Sequence, residues 1–172
     1  MQGKSAARQV ALYGILIALA MVMSFVESLI PLPIPVPGVK AGLANLVTIT
    51  GLYLVGIPGT ICVTLLRVVL VGFTFGNPYS MIYGLSGSFL SLLVMAAAKR
   101  YRLFSQVGIS ILGGVFHNIG QITFAAVIVK TPELYYYLPA LLLAGCAAGA
   151  LIGILGGILT ERLGKLLFTD VL

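Results

Sequence analysis

Charged residues are scarce in this sequence, and acidic residues are the scarcest. Only 8% of the 172 residues are charged and only four are acidic, whereas 60% are hydrophobic. An ordinary soluble domain carries roughly a quarter charged residues. A chain this poor in charge cannot cover a water-exposed surface, so lipid must contact most of it. The composition therefore predicts an all-α integral membrane protein with a single transmembrane domain, residues 1–172.

Catalytic and metal-binding motifs are also missing. The sequence has no HExxH, no paired carboxylates, no aspartate-rich cluster and no glycine-rich phosphate loop. Cys62 and Cys146 lie in apolar runs without metal-ligand spacing, and we interpret them as small buried residues, with a disulfide between them left open. We therefore predict no catalytic residue, no metal site and no cofactor, and a protein that is not an enzyme.

The apolar residues that remain fall into about six stretches suited to transmembrane helices. A helix needs roughly 20 apolar residues to cross the hydrocarbon core. The predicted spans are residues 10–30, 43–55, 60–75, 79–98, 107–129 and 138–159. The second is short, so part of the loop before it is expected to enter the protein. The tail after Glu161 is expected to lie along the membrane interface.

The basic residues are divided unequally between the two ends of this arrangement. One end, with both termini, carries Lys4, Arg8, Lys99, Arg100, Arg102, Arg162 and Lys165, against Lys40 and Lys130 at the other. The positive-inside rule then predicts a multi-pass protein of the plasma membrane with both termini in the cytoplasm. Because these residues are spread over short connections, the net charge of +6 does not indicate a nucleic-acid partner.

Several polar side chains lie within the spans, where lipid would disfavour them. A charge at a helix centre costs about 2.5–3.5 kcal/mol on insertion scales, so it normally faces a partner or a wet cavity. Arg67 and His117 fall near mid-depth, and Gln121 shares a helix face with His117. We predict an outward-open ligand cavity, with the proline-rich loop 31–38 as a lid. The predicted ligand-binding residues are Arg67, His117, Asn118, Gln121, Asn45, Glu27 and Lys40.

Each of these residues also has a structural interpretation. Arg67 could pair with Glu27 or with backbone carbonyls and lock the bundle, and His117 could be a packing histidine. If they do face a ligand, the cationic side chains Arg67 and Lys40 favour an anionic group, held by charge-assisted hydrogen bonds.

Small residues form stripes on two of the predicted helices. Gly145, Gly149, Gly153 and Gly157 recur every four residues on the last helix, and Ala7, Ala11, Gly14 and Ala18 share a face of the first. Such stripes let another helix approach closely. We predict packing within the chain for the glycines. For the first helix, packing within the chain and contact with a partner protein both stay open.

Several segments together resemble a known family. They are Val26-Glu27-Ser28-Leu29-Ile30-Pro31, Pro37-Gly38-Val39-Lys40-Ala41-Gly42-Leu43-Ala44-Asn45, Leu66-Arg67-Val68, Gly84-Leu85-Ser86-Gly87-Ser88, Val115-Phe116-His117-Asn118-Ile119-Gly120-Gln121 and Tyr136-Tyr137-Leu138-Pro139. This pattern, from about residue 10 to 160, resembles the Gx transporter family, also labelled heptaprenyl diphosphate synthase component I.

The resemblance implies a substrate-binding S component of an energy-coupling factor transporter, a six-helix protein that takes a small molecule from outside. In such proteins an AxxxA-like motif contacts a transmembrane coupling subunit that works with two ATPases. Ala7-Arg8-Gln9-Val10-Ala11 is similar to that motif. The competing hypothesis, also from the resemblance, is a non-catalytic membrane subunit in polyprenyl or menaquinone metabolism or in flavin-linked electron transfer.

The charge asymmetry predicts the sidedness of two connections. In a background with Cys62 and Cys146 replaced by serine, Arg102→Cys should react with an impermeant thiol reagent only from the cytoplasmic side. Glu133→Cys should react only from outside. Labelling of both positions from the same face would contradict the six-span arrangement.

Overall fold

The computed structural model describes residues 2–30 and 42–168, and these residues form a bundle of six α-helices. The helices are α1 (Gln2–Ser28), α2 (Asn45–Leu54), α3 (Gly56–Thr74), α4 (Pro78–Arg100), α5 (Gln106–Val129) and α6 (Leu138–Phe168). A 3₁₀ helix, Pro132–Tyr137, joins α5 to α6, and no strand occurs in the described ranges. The predicted all-α membrane fold class is confirmed.

Helix α2 is much shorter than the others. Five of the described helices are long and apolar enough to cross a membrane, whereas α2 has 10 residues. At about 1.5 Å per residue it covers about 15 Å, half of a hydrocarbon core about 30 Å thick. The second predicted span is thus a half-length helix.

Contacts among α1, α2 and α3 show where the half-length helix lies in the bundle. The rings of Phe25 and Phe75 pack edge to face with centroids 5.4 Å apart. A Cβ built on Gly59 would lie 2.9 Å from the Tyr13 hydroxyl, so α1 and α3 run parallel. Helix α2 starts beside Glu27, near the end of α1, and returns to the start of α3. Residues 42–44, directly before α2, therefore lie within the bundle, and the rest of the loop expected to enter it falls outside the described residues.

We call the end of the bundle that holds the start of α1 and the end of α6 the base, and the opposite end the mouth. Helices α1, α3 and α5 run from base to mouth, and α2, α4 and α6 run back. The base has its own buried apolar cluster, in which α2, α4, α5 and α6 meet around Ile49, Leu52, Ala98 and Ile109. Lipid-facing surfaces carry large apolar side chains such as Phe73 and Phe89.

Three helix boundaries differ by several residues from the predicted spans, and the first is the start of α1, at Gln2 instead of residue 10. Helix α3 begins at Gly56, four residues before the predicted span 60–75, because Val55 and the positive φ of Gly56 (+74°) are enough to reverse the chain. Pro58 is tolerated there because first-turn amides have no intrahelical acceptor. Helix α6 continues unbroken to Phe168, so the residues after Glu161 do not form a separate interfacial segment up to that point.

The stripe of glycines on α6, which we call the glycine ladder, packs against α5. A Cβ built on Gly149 would lie 2.7 Å from the Cα of Ile111, and one on Gly153 would lie 2.8 Å from the Cα of Val107. Gly145 similarly approaches Gly114. These distances are shorter than any side chain tolerates, so the two backbones are in contact, and the predicted internal packing is confirmed for these three glycines. Gly157 faces open space.

The small-residue stripe of α1 makes no comparable contact. Ala7, Ala11, Gly14 and Ala18 are all exposed, and a Cβ on Gly14 would meet no atom within 4 Å. Among the described residues, this face of α1 is therefore not covered by another helix of the chain.

The two cysteines correct the prediction that they are buried. Cys62 and Cys146 are both exposed and free. The buried face of α3 runs through Thr60, Val63 and Thr64, so Cys62 points to the opposite, outward face of that helix.

The glycine ladder supplies a matched pair of substitutions. We expect Gly149→Ala to lower the free energy of unfolding in detergent by about 1–3 kcal/mol, because the added methyl group must push α5 and α6 apart. Gly157→Ala adds the same methyl group where there is space, and should be neutral or stabilising by up to about 1 kcal/mol, since alanine favours helix. Thermal unfolding of both variants tests this. Equal effects would show that α5 and α6 are not in backbone contact.

Candidate functional site

A polar-lined cavity, open at one side, lies in the mouth half of the bundle. It is enclosed by α1, α3, α4, α5 and the segment leading into α2. Its polar lining residues are Ser24, Glu27, Asn45, Arg67, Ser80, His117 and Gln121. The others are apolar or small: Gly42, Ala44, Val68, Val71, Gly72, Met81 and Gly84.

Glycines bring the walls of this cavity together. A Cβ on Gly72 would lie 2.8 Å from the Cβ of Met81, which fixes the close approach of α3 and α4. A Cβ on Gly87 would lie 2.7 Å from the Cγ of Gln121 and 2.8 Å from the carbonyl oxygen of His117. Helix α5 can therefore present His117 and Gln121 directly beside α4, at the level of Ser88 and Arg67.

Arg67 is the central charged group of the site. Its side chain is only 8% exposed, yet its one hydrogen bond in the described chain joins Nη2 to the Ser88 hydroxyl at a long 3.4 Å. The buried Nε has no hydrogen-bond partner among the described residues. No carboxylate there lies within ion-pair distance, although Glu27 attracts the guanidinium electrostatically. A guanidinium normally uses all its donors when buried, so Arg67 retains unused hydrogen-bonding capacity.

Glu27 has a different set of contacts. Its carboxylate accepts hydrogen bonds from the backbone N–H groups of Gly42 and Leu43, the second at 3.2 Å. These groups immediately precede α2, whose N-cap residue Ala44 offers no side-chain cap. The buried Glu27 therefore holds the wall of the cavity that leads into α2.

Asn45, His117 and Gln121 complete the polar lining. Asn45 is the first residue of α2, and its side-chain amide packs against Gly42. His117 and Gln121 lie one turn apart on α5 and share a face, as their spacing predicts. The structure thus brings together five of the seven predicted residues in one cavity: Glu27, Asn45, Arg67, His117 and Gln121.

The other two predicted residues are not in the described lining. Asn118 is buried on another side of α5, where its Nδ2 donates a hydrogen bond to the carbonyl of Leu141 at 2.7 Å. Adjacent helical residues point about 100° apart, so Asn118 ties α5 to α6 while His117 faces the cavity. Lys40 and the proline-rich loop 31–38, proposed as a lid, lie outside the described residues.

Three serines at the site were not predicted, and one of them, Ser80, lines the cavity from the first turn of α4. Ser24 lines the cavity three residues before Glu27 on the same face of α1, and Ser88 is the hydrogen-bond partner of Arg67. The i, i+3 spacing from Glu27 could have indicated Ser24. No sequence signal pairs Ser88 with Arg67, which is 21 residues away.

This arrangement can bind a small molecule that has an anionic group. The planar guanidinium of Arg67 matches a carboxylate or phosphate, and the amides of Asn45 and Gln121 can donate or accept hydrogen bonds. Val68, Val71 and Met81 offer apolar contact for the rest of the molecule. Within the described ranges, no group of three or more His, Cys, Asp or Glu residues could hold a metal ion.

Comparison with known proteins gives one family match. The family model described as heptaprenyl diphosphate synthase component I matches residues 16–159, a range that contains every described lining residue of the cavity. No curated protein and no solved structure matches the chain.

Proposed function

Because this chain belongs to the heptaprenyl diphosphate synthase component I family, we propose that it is the membrane-embedded substrate-binding component of an energy-coupling factor type uptake transporter. Its ligand is a small organic molecule with an anionic group. The observation that carries the proposal is Arg67: a buried guanidinium at the wall of an open cavity, with an unpartnered Nε.

The energetics of Arg67 favour a ligand over a purely structural role. Removing a guanidinium from water costs several kcal/mol unless hydrogen bonds and an opposite charge compensate. An arginine that served only to hold the helices together would have such partners within the bundle. The described chain supplies one long hydrogen bond and a distant attraction from Glu27. An anionic ligand would add the missing acceptors, and a wet cavity would solvate the group when the ligand is absent.

The position of the cavity supports uptake from outside. The cavity lies in the mouth half, and the basic residues that the positive-inside rule assigns to the cytoplasm, such as Arg100, Arg102 and Arg162, lie at the base. With this orientation both termini are cytoplasmic in the plasma membrane, and the binding site is reached from the external side.

Transport itself needs an energy source, which the proposal assigns to partners. The sequence has no nucleotide-binding motif. The exposed stripe of Ala7, Ala11, Gly14 and Ala18 on α1 would allow close approach by a helix of a coupling subunit that works with two ATPases.

A second candidate function follows from the name of the family. The chain would be a non-catalytic membrane component of a heptaprenyl diphosphate synthase, and the cavity would hold a prenyl or quinone head group. We give this candidate the second place because the exposed α1 stripe is not needed for it. We assign no catalysis to the chain itself, since its four acidic residues include no paired carboxylates that could hold Mg²⁺ on a diphosphate.

The test of the ligand role starts from the molecule that copurifies with the protein, identified by native mass spectrometry. We expect Arg67→Met to lower affinity for it by at least about 1.5–3 kcal/mol, the size of a hydrogen bond to a charged group. The melting temperature without ligand should stay near wild type, because Arg67 makes a single long hydrogen bond within the described bundle. Arg67→Lys should recover only part of the affinity, since it lacks the planar fork.

Melting curves with and without the ligand separate the two roles of Arg67. Arg100→Met, which removes an exposed charge at the base, is the control. A large destabilisation of the ligand-free Arg67→Met protein, with an unchanged ligand shift, would place Arg67 in the scaffold. The identity of the ligand separates the two candidate functions, since a prenyl or quinone compound favours the second.

The partner prediction concerns Ala11. Ala11→Trp should abolish copurification with a coupling subunit and leave ligand binding intact, because the indole blocks close helix approach. Ala97→Trp places the same side chain on an exposed position of α4, also near the base, and should leave the complex in normal yield. A normal yield of complex with Ala11→Trp would remove the main support for the transporter proposal.

A further inference from the structure

Helix α2 lacks the features that usually stabilise a short helix. It has 10 residues, no side-chain cap at its amino terminus, no acidic residue in its first turn and no basic residue in its last turn. Isolated helices of this length are marginal even in water. Its terminal N–H and C=O groups lie inside a membrane bundle, where unsatisfied backbone groups are costly.

The missing charges come from two neighbouring helices. Glu27 of α1 accepts hydrogen bonds from Gly42 and Leu43 just before α2 begins. Lys99 of α4 donates from Nζ to the carbonyl of Leu52 in the last turn of α2. The same ammonium lies 4.6 Å from the ring centroid of Tyr53. A negative charge at the amino end and a positive charge at the carboxyl end are the favourable arrangement for a helix dipole.

Lys99 does not behave like an ordinary lysine at the end of a membrane helix. Such a lysine extends its ammonium toward the headgroups and water. Lys99 is partly buried instead, and its ammonium turns inward to α2, whereas its neighbour Arg100 is exposed. The two adjacent cations thus have different surroundings, which makes Arg100 a matched control.

We propose that Glu27 and Lys99 clamp α2 at its two ends, and that Lys99 is thereby a positioning residue for the cavity wall formed by residues 42–45. Lys99 lies at the base and contacts Leu52, about 10 Å along α2 from Asn45. It acts on the cavity through the register of a short helix packed between α3 and α6, and makes no contact with a ligand. The clamp itself is independent of the proposed function; its consequence for binding rests on that function.

The clamp also assigns a role to Glu27. This residue is a predicted ligand contact that lines the cavity, but its carboxylate is engaged by the backbone that leads into α2. Glu27 and Lys99 thus form a pair that acts on one helix from opposite ends.

Hydrogen–deuterium exchange of the full chain in nanodiscs tests the clamp without any ligand. In Lys99→Met, which keeps the apolar stem, we expect amides 42–54 to exchange about tenfold faster than in wild type. Tenfold corresponds to about 1.4 kcal/mol, within the range for a partly buried charge at a helix end. Amides of α5 should be unchanged. Arg100→Met should leave α2 unchanged, and Lys99→Arg, which keeps the charge, should restore part of the protection.

The distribution of faster amide exchange along α2 decides whether the proposal holds. Faster exchange confined to residues 52–55 would show a local cap and overturn the positioning role, as would equal acceleration of α2 and α5. Should Lys99→Met not yield folded protein, Glu27→Gln tests the other end, and unchanged exchange of amides 42–54 there would overturn the clamp. Because no ligand is used, absence of a copurifying molecule would count against the proposed function and leave this result intact.

Discussion

An ionised guanidinium in the middle of a lipid-embedded bundle must be met by polar groups from other helices. Arg67 imposes this requirement on the mouth half of the protein, where α1, α2, α4 and α5 each contribute a polar side chain around it. The contributions stop short of full compensation, because the described chain leaves Nε unpartnered and offers one long bond to Ser88. A purely structural arginine would have its full set of partners within the bundle. Because Arg67 lacks some of them, we propose that an anionic ligand supplies them.

The short length of α2 is related to the presence of a cavity inside a small bundle. A full-length second helix would fill the space that the cavity occupies between α1, α3 and α5. Starting α2 within the bundle opens that space but places the amino terminus of a helix inside the protein. The carboxylate of Glu27 satisfies that terminus and also faces the charge of Arg67, so one acidic residue serves both groups.

The two small-residue stripes show how similar patterns lead to different surfaces. On α6 the glycines are buried against the backbone of α5, because α6 follows α5 directly through a short connection and must return beside it. On α1 the stripe faces outward, since α2 and α3 pack on the opposite face around Leu16 and Ala20. The spacing of the small residues shows only that another helix can pack closely against that face. Which helix does so depends on the packing of the whole bundle.

Hydropathy and charge by themselves determined that this is a helical membrane protein, where most helices begin and end, and that both termini lie at the same end. Those properties depend on the transfer of each segment into lipid, which is a local quantity. Helical periodicity also determined that His117 and Gln121 share a face. Only the tertiary structure decided that Asn118 turns to α6, that Ser88 meets Arg67, and that Cys62 faces outward. These outcomes depend on which face of each helix meets a neighbour, and in a chain that is apolar on nearly every face, composition does not distinguish the inside from the lipid side.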